Sequence, residues 1–208
     1  MSVVIGIKYK DGVVMAADKQ ATSGTTKSDN AIKMQYFEGS KSCMGVVGYL
    51  RDCNVIRTID EIVAPIDILQ KREINDRYVI SNIIPNLISV MTANKRVRDK
   101  GGIVEMDSIM MYSTPEKIFT IGPDFGVIES DESFAAIGCG EDKVRGYLSQ
   151  FKDMPRLTKD EAVELLTKAI QIACEKDVYI NERIDVAFCV GEKTQSMKKC
   201  VKRGGNVR

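Results

Sequence analysis

The order in which patterned segments follow one another is what most restricts the fold of this chain. Two runs rich in β-branched and apolar residues, "VVIGIKY" (3–9) and "VVMAAD" (13–18), flank Asp11-Gly12. Such a dipeptide between two apolar runs predicts a hairpin. "KSCMGVVG" (41–48) reads as another buried strand. Two helical patterns follow. Val55, Ile59, Ile62, Ile66 and Leu69 keep a helical rhythm, as do Ile80, Ile83, Ile84, Leu87, Ile88 and Met91. Pro65 and Pro85 lie inside these patterns and predict a kink or break in each. Strands return at 107–113, 117–122, 126–130 and 134–140, punctuated by Pro115, Gly122-Pro123 and Gly126. Two more helices come next. The clearer one opens with Thr158 and has Glu161 three residues on, a capping box. "IDVAFCV" (184–190) and "KKCVK" (198–202) close the pattern as strands.

The sequence of elements is strands, two helices, strands, two helices, strands. Segregated runs point to α+β layers rather than alternating βαβ units. Two helix pairs need two sheet faces, so the prediction is a four-layer αββα sandwich. No repeat, linker or low-complexity tract divides the chain, and 1–208 is read as one domain.

Composition narrows the function. The net charge of +1 lacks the basic excess of a nucleic-acid binder. No apolar run is long enough to span a membrane, and no signal-peptide pattern is seen. The expectation is a cytoplasmic protein with neither nucleic acid nor membrane as partner. Six cysteines occur without a C-x-x-C pair, mostly in apolar surroundings, and read as buried free thiols rather than a disulfide framework or metal site. There is no histidine. A Ser-His-Asp triad, a Cys-His pair and a His-ligated metal are thereby excluded, and an enzyme built on this chain needs another base.

Ser2 offers one. Methionine ahead of a small residue is commonly trimmed, and trimming would leave Ser2 with a free α-amine. That group has a reference pKa of about 7.7–8.0 and accepts a proton near neutrality. Hydroxyl nucleophile and base would then share one residue. Taken alone, a serine at position two more often means nothing.

The stretch "SVVIGIKYKDGVVMAADKQATSG" resembles the opening of the proteasome β-type family of N-terminal nucleophile hydrolases, which includes the bacterial HslV-type peptidase. The resemblance continues through "AIKM", "CMGVVGYLRD", "AIGCGED" and "DVYINERIDVAF". It implies that Ser2 stands at the nucleophilic threonine, Asp18 at the aspartate closing the second strand, and Lys33 at the lysine whose charge lowers the nucleophile's proton affinity. It further places Gly45 at the glycine donating an amide to the oxyanion, Cys139 at a serine near the amine, and Asp177 at a distal aspartate ordering the terminus. Serine lacks the methyl group that restricts threonine at χ1. A thiol at 139 is a weaker hydrogen-bonding group than a hydroxyl. Ile180 removes a second hydroxyl that proteasome β subunits carry. Each residue also has a plain structural reading; their joint spacing favours the catalytic one.

The hairpin sets a geometric condition. An Asp11-Gly12 turn would pair Ser2 with Ala21 and leave Asp18 on the other side of the sheet, so a bulge or longer turn is required. The resemblance implies a threonine-type peptidase with a serine nucleophile, cutting peptides or unfolded protein inside a homo-oligomeric ring. It implies no metal or organic cofactor and brings an unfolding ATPase as a family expectation. The alternatives are a catalytically inactive structural subunit, or a related amidase or transferase with the same terminal nucleophile.

Overall fold

The hairpin forms, in a different register from the one expected. In the computed structural model, which describes residues 2–23, 26–174 and 180–191, β1 (Val3–Tyr9) runs antiparallel to β2 (Gly12–Asp18). Tyr9 lies opposite Gly12 and Val4 opposite Ala17, so the two loop residues are Lys10 and Asp11. Gly12 is the first residue of β2. A Cβ there would meet the Cys189 carbonyl oxygen at 2.2 Å, and its φ of +154° suits glycine alone. Continuing this register sets Asp18 level with Val3. The bulge that an Asp11-Gly12 turn would have required is not needed.

Two short strands follow, β3 (Ala21–Ser23) and β4 (Thr26–Ser28), paired only with each other. Next come β5 (Met34–Phe37) and β6 (Ser42–Val47), then α1 (Leu50–Ile56) and α2 (Pro65–Leu69). The periodicity over 55–69 predicts a longer helix broken at Pro65. Instead α1 starts earlier and stops at Ile56, and 57–64 is not helical. There the Glu61 carboxylate accepts the amides of Ile62 (3.0 Å), Val63 (3.2 Å) and Ser40 (3.0 Å). Local side-chain bonds of this kind compete with helix formation. Ala64 is extended, as a residue before proline prefers. Ile66 and Leu69 consequently face out rather than in.

The second pattern is not broken at its proline. α3 (Asp76–Tyr78) runs through a π turn (Val79–Ile83) into α4 (Ile84–Ala93), which contains Pro85. Pro85 has no amide, and its ring would press on the carbonyl four residues back in an α-helix. The wider turn absorbs that, with the Ile84 amide donating to the Val79 carbonyl five residues back.

A ribbon of β7 (Val97–Lys100) and β8 (Ile103–Met106) turns at Gly101-Gly102, both at positive φ. After it come β9 (Ile109–Ser113), β10 (Ile118–Ile121), β11 (Val127–Glu129) and β12 (Phe134–Gly138). The chain continues through α5 (Glu141–Leu148), α6 (Lys159–Cys174) and β13 (Ile184–Val190). The capping box ahead of α6 is made: Glu161 accepts the Thr158 amide at 2.8 Å, and Thr158 Oγ1 accepts the Glu161 amide at 3.4 Å. The strand expected at 198–202, the chain's final segment and Cys200 lie outside the described residues.

Apart from the two-stranded pairs β3-β4 and β7-β8, the described strands form two larger sheets, ordered β12-β1-β2-β13 and β11-β10-β9-β6-β5. Alternation along the strands assigns their faces. Val4, Val13, Met15 and Ala17 of the first sheet meet Met34, Cys43 and Met111 of the second. Val3, Ile5, Ile7, Val14 and Ala16 point the other way, onto Val144, Leu148, Leu166 and Ala169 of α5 and α6. The second sheet's outer face carries Met44, Val46, Tyr112 and Phe119 against Cys53 and Ile56 of α1, Ile83 of the π turn, and Leu87 and Met91 of α4. The four layers of the expected αββα sandwich are therefore present. Strands buried on both faces explain the near-continuous apolar runs of β1 and β2.

Candidate active site

Asp18 closes β2 and is buried, as are Lys33, just ahead of β5, and Ser2, just ahead of β1. Lys33 Nζ donates to both carboxylate oxygens of Asp18, each at 2.8 Å. Oδ1 of Asp18 also accepts the Val3 amide at 2.9 Å, and Oδ2 the Gln20 amide at 3.0 Å. The peptide group that joins Ser2 to Val3 thus hangs from the carboxylate that holds the lysine. The β1–β2 register is what makes this contact, since it brings Asp18 level with Val3.

The other side of Ser2 is fixed by β12. The Cys139 amide donates to the Ser2 carbonyl at 2.8 Å. Gly138 precedes it with φ +100°, and a Cβ there would stand 2.1 Å from the Ser2 carbonyl oxygen. Only glycine lets the two backbones come so close. Lys33 is itself anchored through its main chain: its carbonyl accepts the Val46 amide of β6 at 2.9 Å.

Burial pulls the Lys33 ammonium below the usual lysine value, and the Asp18 carboxylate opposes that pull by charge and by hydrogen bond. The Cys139 and Cys53 thiols both lie within electrostatic reach of this lysine. Cys53 itself is pushed up to about 11 by burial, with Lys33 acting in the opposite direction. An ammonium so placed favours negative charge on a neighbouring oxygen and the unprotonated form of a neighbouring amine.

Ser2, Asp18, Lys33 and Cys139 come together at one end of β1. Gly45 lies in the facing sheet, in β6 between Met34 of β5 and Met111 of β9. What the fold explains about it is steric: a Cβ at Gly45 would stand 2.7 Å from Val4 Cγ1 of the facing sheet. Asp177 lies outside the described residues. Ile180 is buried in the layer between the first sheet and its helices.

Three contributors were not singled out from sequence. Gly138 stood within the quoted "AIGCGED", and a glycine ahead of a tight turn was its signal. Gln20 reaches Asp18 through its backbone amide, a donor that no side-chain reading detects. Asn181 accepts the Lys19 amide at 3.2 Å and donates to Asp29 at 3.0 Å, tying the segment before β13 to the end of β2. Nothing local in the sequence marks it.

A four-layer αββα sandwich with a buried Asp-Lys pair at the head of its first strand defines the class, and a family comparison agrees. The proteasome subunit family model matches residues 2–189, and the chain belongs to that family. Among its relatives, the proteasome subunit beta of Archaeoglobus fulgidus is 29% identical over 182 residues, covering 88% of this chain and 82% of that one. Proteasome subunit beta 1 of Nitrosopumilus maritimus is 27% identical over 205 residues, 95% of each chain. Among solved structures, a eukaryotic HslV from Trypanosoma brucei superposes with a TM-score of 0.61 at 20% identity, over 88% of this chain and 97% of that one. The Gly-1 mutant of Anbu from Hyphomicrobium sp. strain MC1 gives 0.64 at 14% identity, over 89% and 80%. At these identities the two structures speak for the fold.

Proposed function

We propose that the protein is an N-terminal-nucleophile peptidase in which Ser2, once freed of what precedes it, supplies both attacking oxygen and base. The observation that carries this reading is the buried Lys33-Asp18 pair, bonded through Asp18 to the amide of Val3. A buried ion pair is a costly way to hold a fold together, because apolar residues of similar volume often serve stability as well or better. Its position beside a hydroxyl residue at the head of a strand has a chemical use.

In the proposed reaction the α-amine of Ser2 takes the Oγ proton as Oγ attacks the scissile carbonyl. The proton passes to the leaving amine and an acyl ester remains on Ser2. Water then attacks the ester, giving its proton to the same amine, and the carboxylic product leaves with Oγ reprotonated. Lys33 stabilises negative charge on Oγ throughout. The amide of Gly45 is assigned to the oxyanion and Asp177 to ordering the terminus, both by family resemblance. Assembly of several copies into a ring, enclosing the site for peptide or unfolded-protein substrates, belongs to the same proposal, as does an ATPase that feeds it.

An epoxyketone, which needs both hydroxyl and amine to form its ring adduct, tests the chemistry. The expected result is one adduct by intact mass on protein beginning at Ser2, none on Ser2→Ala, and labelling of a species eluting well above 23 kDa. Protein beginning at Ser2 that assembles yet takes no adduct would instead be a structural subunit. An unassembled 23 kDa species would remove the ring.

A further inference from the structure

A cleft of about 660 Å³ opens between β3–β4 on one side and the start of α1 with β7 on the other. Ala21 and Thr22 on its wall follow Asp18 within four residues, and Tyr49, Leu50 and Arg51 follow β6 directly. Its volume suits a few side chains of an extended peptide. Tyr49 and Leu50 are 58% and 43% exposed there, an apolar surface for a side-chain stem.

Charge on the wall is uneven. Three arginines and one aspartate line the cleft. Arg96 is spent: its guanidinium bonds the buried Asp52, which also accepts Ser108 Oγ at 2.5 Å, and it lies 5.5 Å from the centre of the Tyr49 ring. Arg98 is spent as well, holding both oxygens of Asp107. Arg51 is different. It is exposed, its hydrogen bond is a long one to the Asn94 carbonyl at 3.4 Å, and among the described residues no carboxylate lies within ion-pair distance. The cleft therefore has two internally neutralised arginines framing one whose charge is unanswered.

We propose that Arg51 selects substrates bearing a carboxylate side chain close to the scissile bond, so that this chain cuts acidic peptides in preference to their uncharged counterparts. The inference rests on the peptidase reading. A planar guanidinium offers a carboxylate two parallel hydrogen bonds, which an amide of the same shape cannot match. Asp52 and Asp107 are held by their own arginines, so they do not offer a free carboxylate to repel the incoming acid.

The test uses fluorogenic peptide pairs that differ only as Glu versus Gln, or Asp versus Asn, at the residues nearest the leaving group. A second arm measures binding of the same sequences, fluorescein-labelled, to Ser2→Ala protein by anisotropy. The acidic member should be about fivefold better in kcat/KM and in affinity, the size of an exposed charge-assisted contact, and high salt should shrink the difference. Arg51→Gln should equalise the pair and Arg51→Glu should reverse it. Equal handling of Glu and Gln peptides by the unaltered protein overturns the proposal, as does a preference that survives Arg51→Gln. If no peptide is cut but acidic ones bind in an Arg51-dependent way, the peptidase reading fails and the assignment of Arg51 stands.

Discussion

At the scale of single residues, Asp18 has the most partners in the site. Four hydrogen bonds converge on its carboxylate: two from Lys33 and one each from the amides of Val3 and Gln20. Asp18→Asn keeps the shape but leaves a buried ammonium without its counter-charge. Breaking a buried pair in this way costs about 3–5 kcal/mol. We expect a lower urea midpoint and loss of epoxyketone labelling. Asp18→Asn, Lys33→Met should recover much of the stability but none of the labelling, because the unpaired charge is gone and so is the cation. Recovery of labelling in the double variant would show that the ammonium has no part in the chemistry. Gly45 illustrates the opposite case, a residue whose tight contact with Val4 gives it a packing reason to be glycine whatever its amide does.

At the scale of elements, the contrast between the two proline-bearing segments is instructive. Pro85 sits in a helix that widens by one residue and continues, whereas Pro65 begins a new helix after an irregular stretch. Period alone could not separate the two, since both carried the same apolar rhythm. The difference lies in Glu61, whose carboxylate gathers three amides and removes the reason for that stretch to coil. α6 shows where local signals suffice. Its capping box forms as read, and its apolar stripe is the buried face. Thr158→Ala should lower stability by about 1 kcal/mol, read as a shift in urea midpoint with an unchanged slope. A change of slope would mean that the cap also governs how compactly the chain unfolds.

At the scale of the whole molecule, the layer between the sheets holds two fully buried thiols, Cys43 and Cys189. Burial pushes Cys43 up to about 12 and Cys189 well above the usual thiol range, Cys43 adding to the latter. In the unfolded chain these thiols ionise near 8.5. Their folded values are raised, so the unfolded state loses its protons first as pH rises. The stability they contribute is fully present below about pH 8.5 and declines toward pH 12, by up to about 1.4 kcal/mol per pH unit for each thiol. Urea midpoints should therefore fall between about pH 8.5 and 10, and Cys43→Ala should flatten that fall. An equal slope with and without Cys43 would contradict its assignment to the dry layer. The same layer carries the main lesson in legibility. Strand identity was readable because both faces of β1 and β2 are apolar. The ribbon 97–106 was not, because it is polar and largely exposed, although its Gly101-Gly102 turn was in view.

The sequence by itself determined the layer count, the strand-rich opening and the exclusion of histidine chemistry; family resemblance added the expectation of a site made of Ser2, Asp18, Lys33, Gly45, Cys139 and Asp177, of which Ser2, Asp18, Lys33 and Cys139 meet at one end of β1. These readings follow from residue type and order, which a linear reading preserves. The tertiary structure alone decided that the hairpin turns at Lys10-Asp11, and hence that Asp18 meets Val3. Hairpin register depends on what the turn residue touches, and Gly12 is placed by the backbone of β13, far away in sequence. Tertiary packing likewise decided which arginine of the cleft is left without a counter-ion, because Asp52 and Asp107 choose their partners only when α1, β7 and the start of β9 are brought side by side.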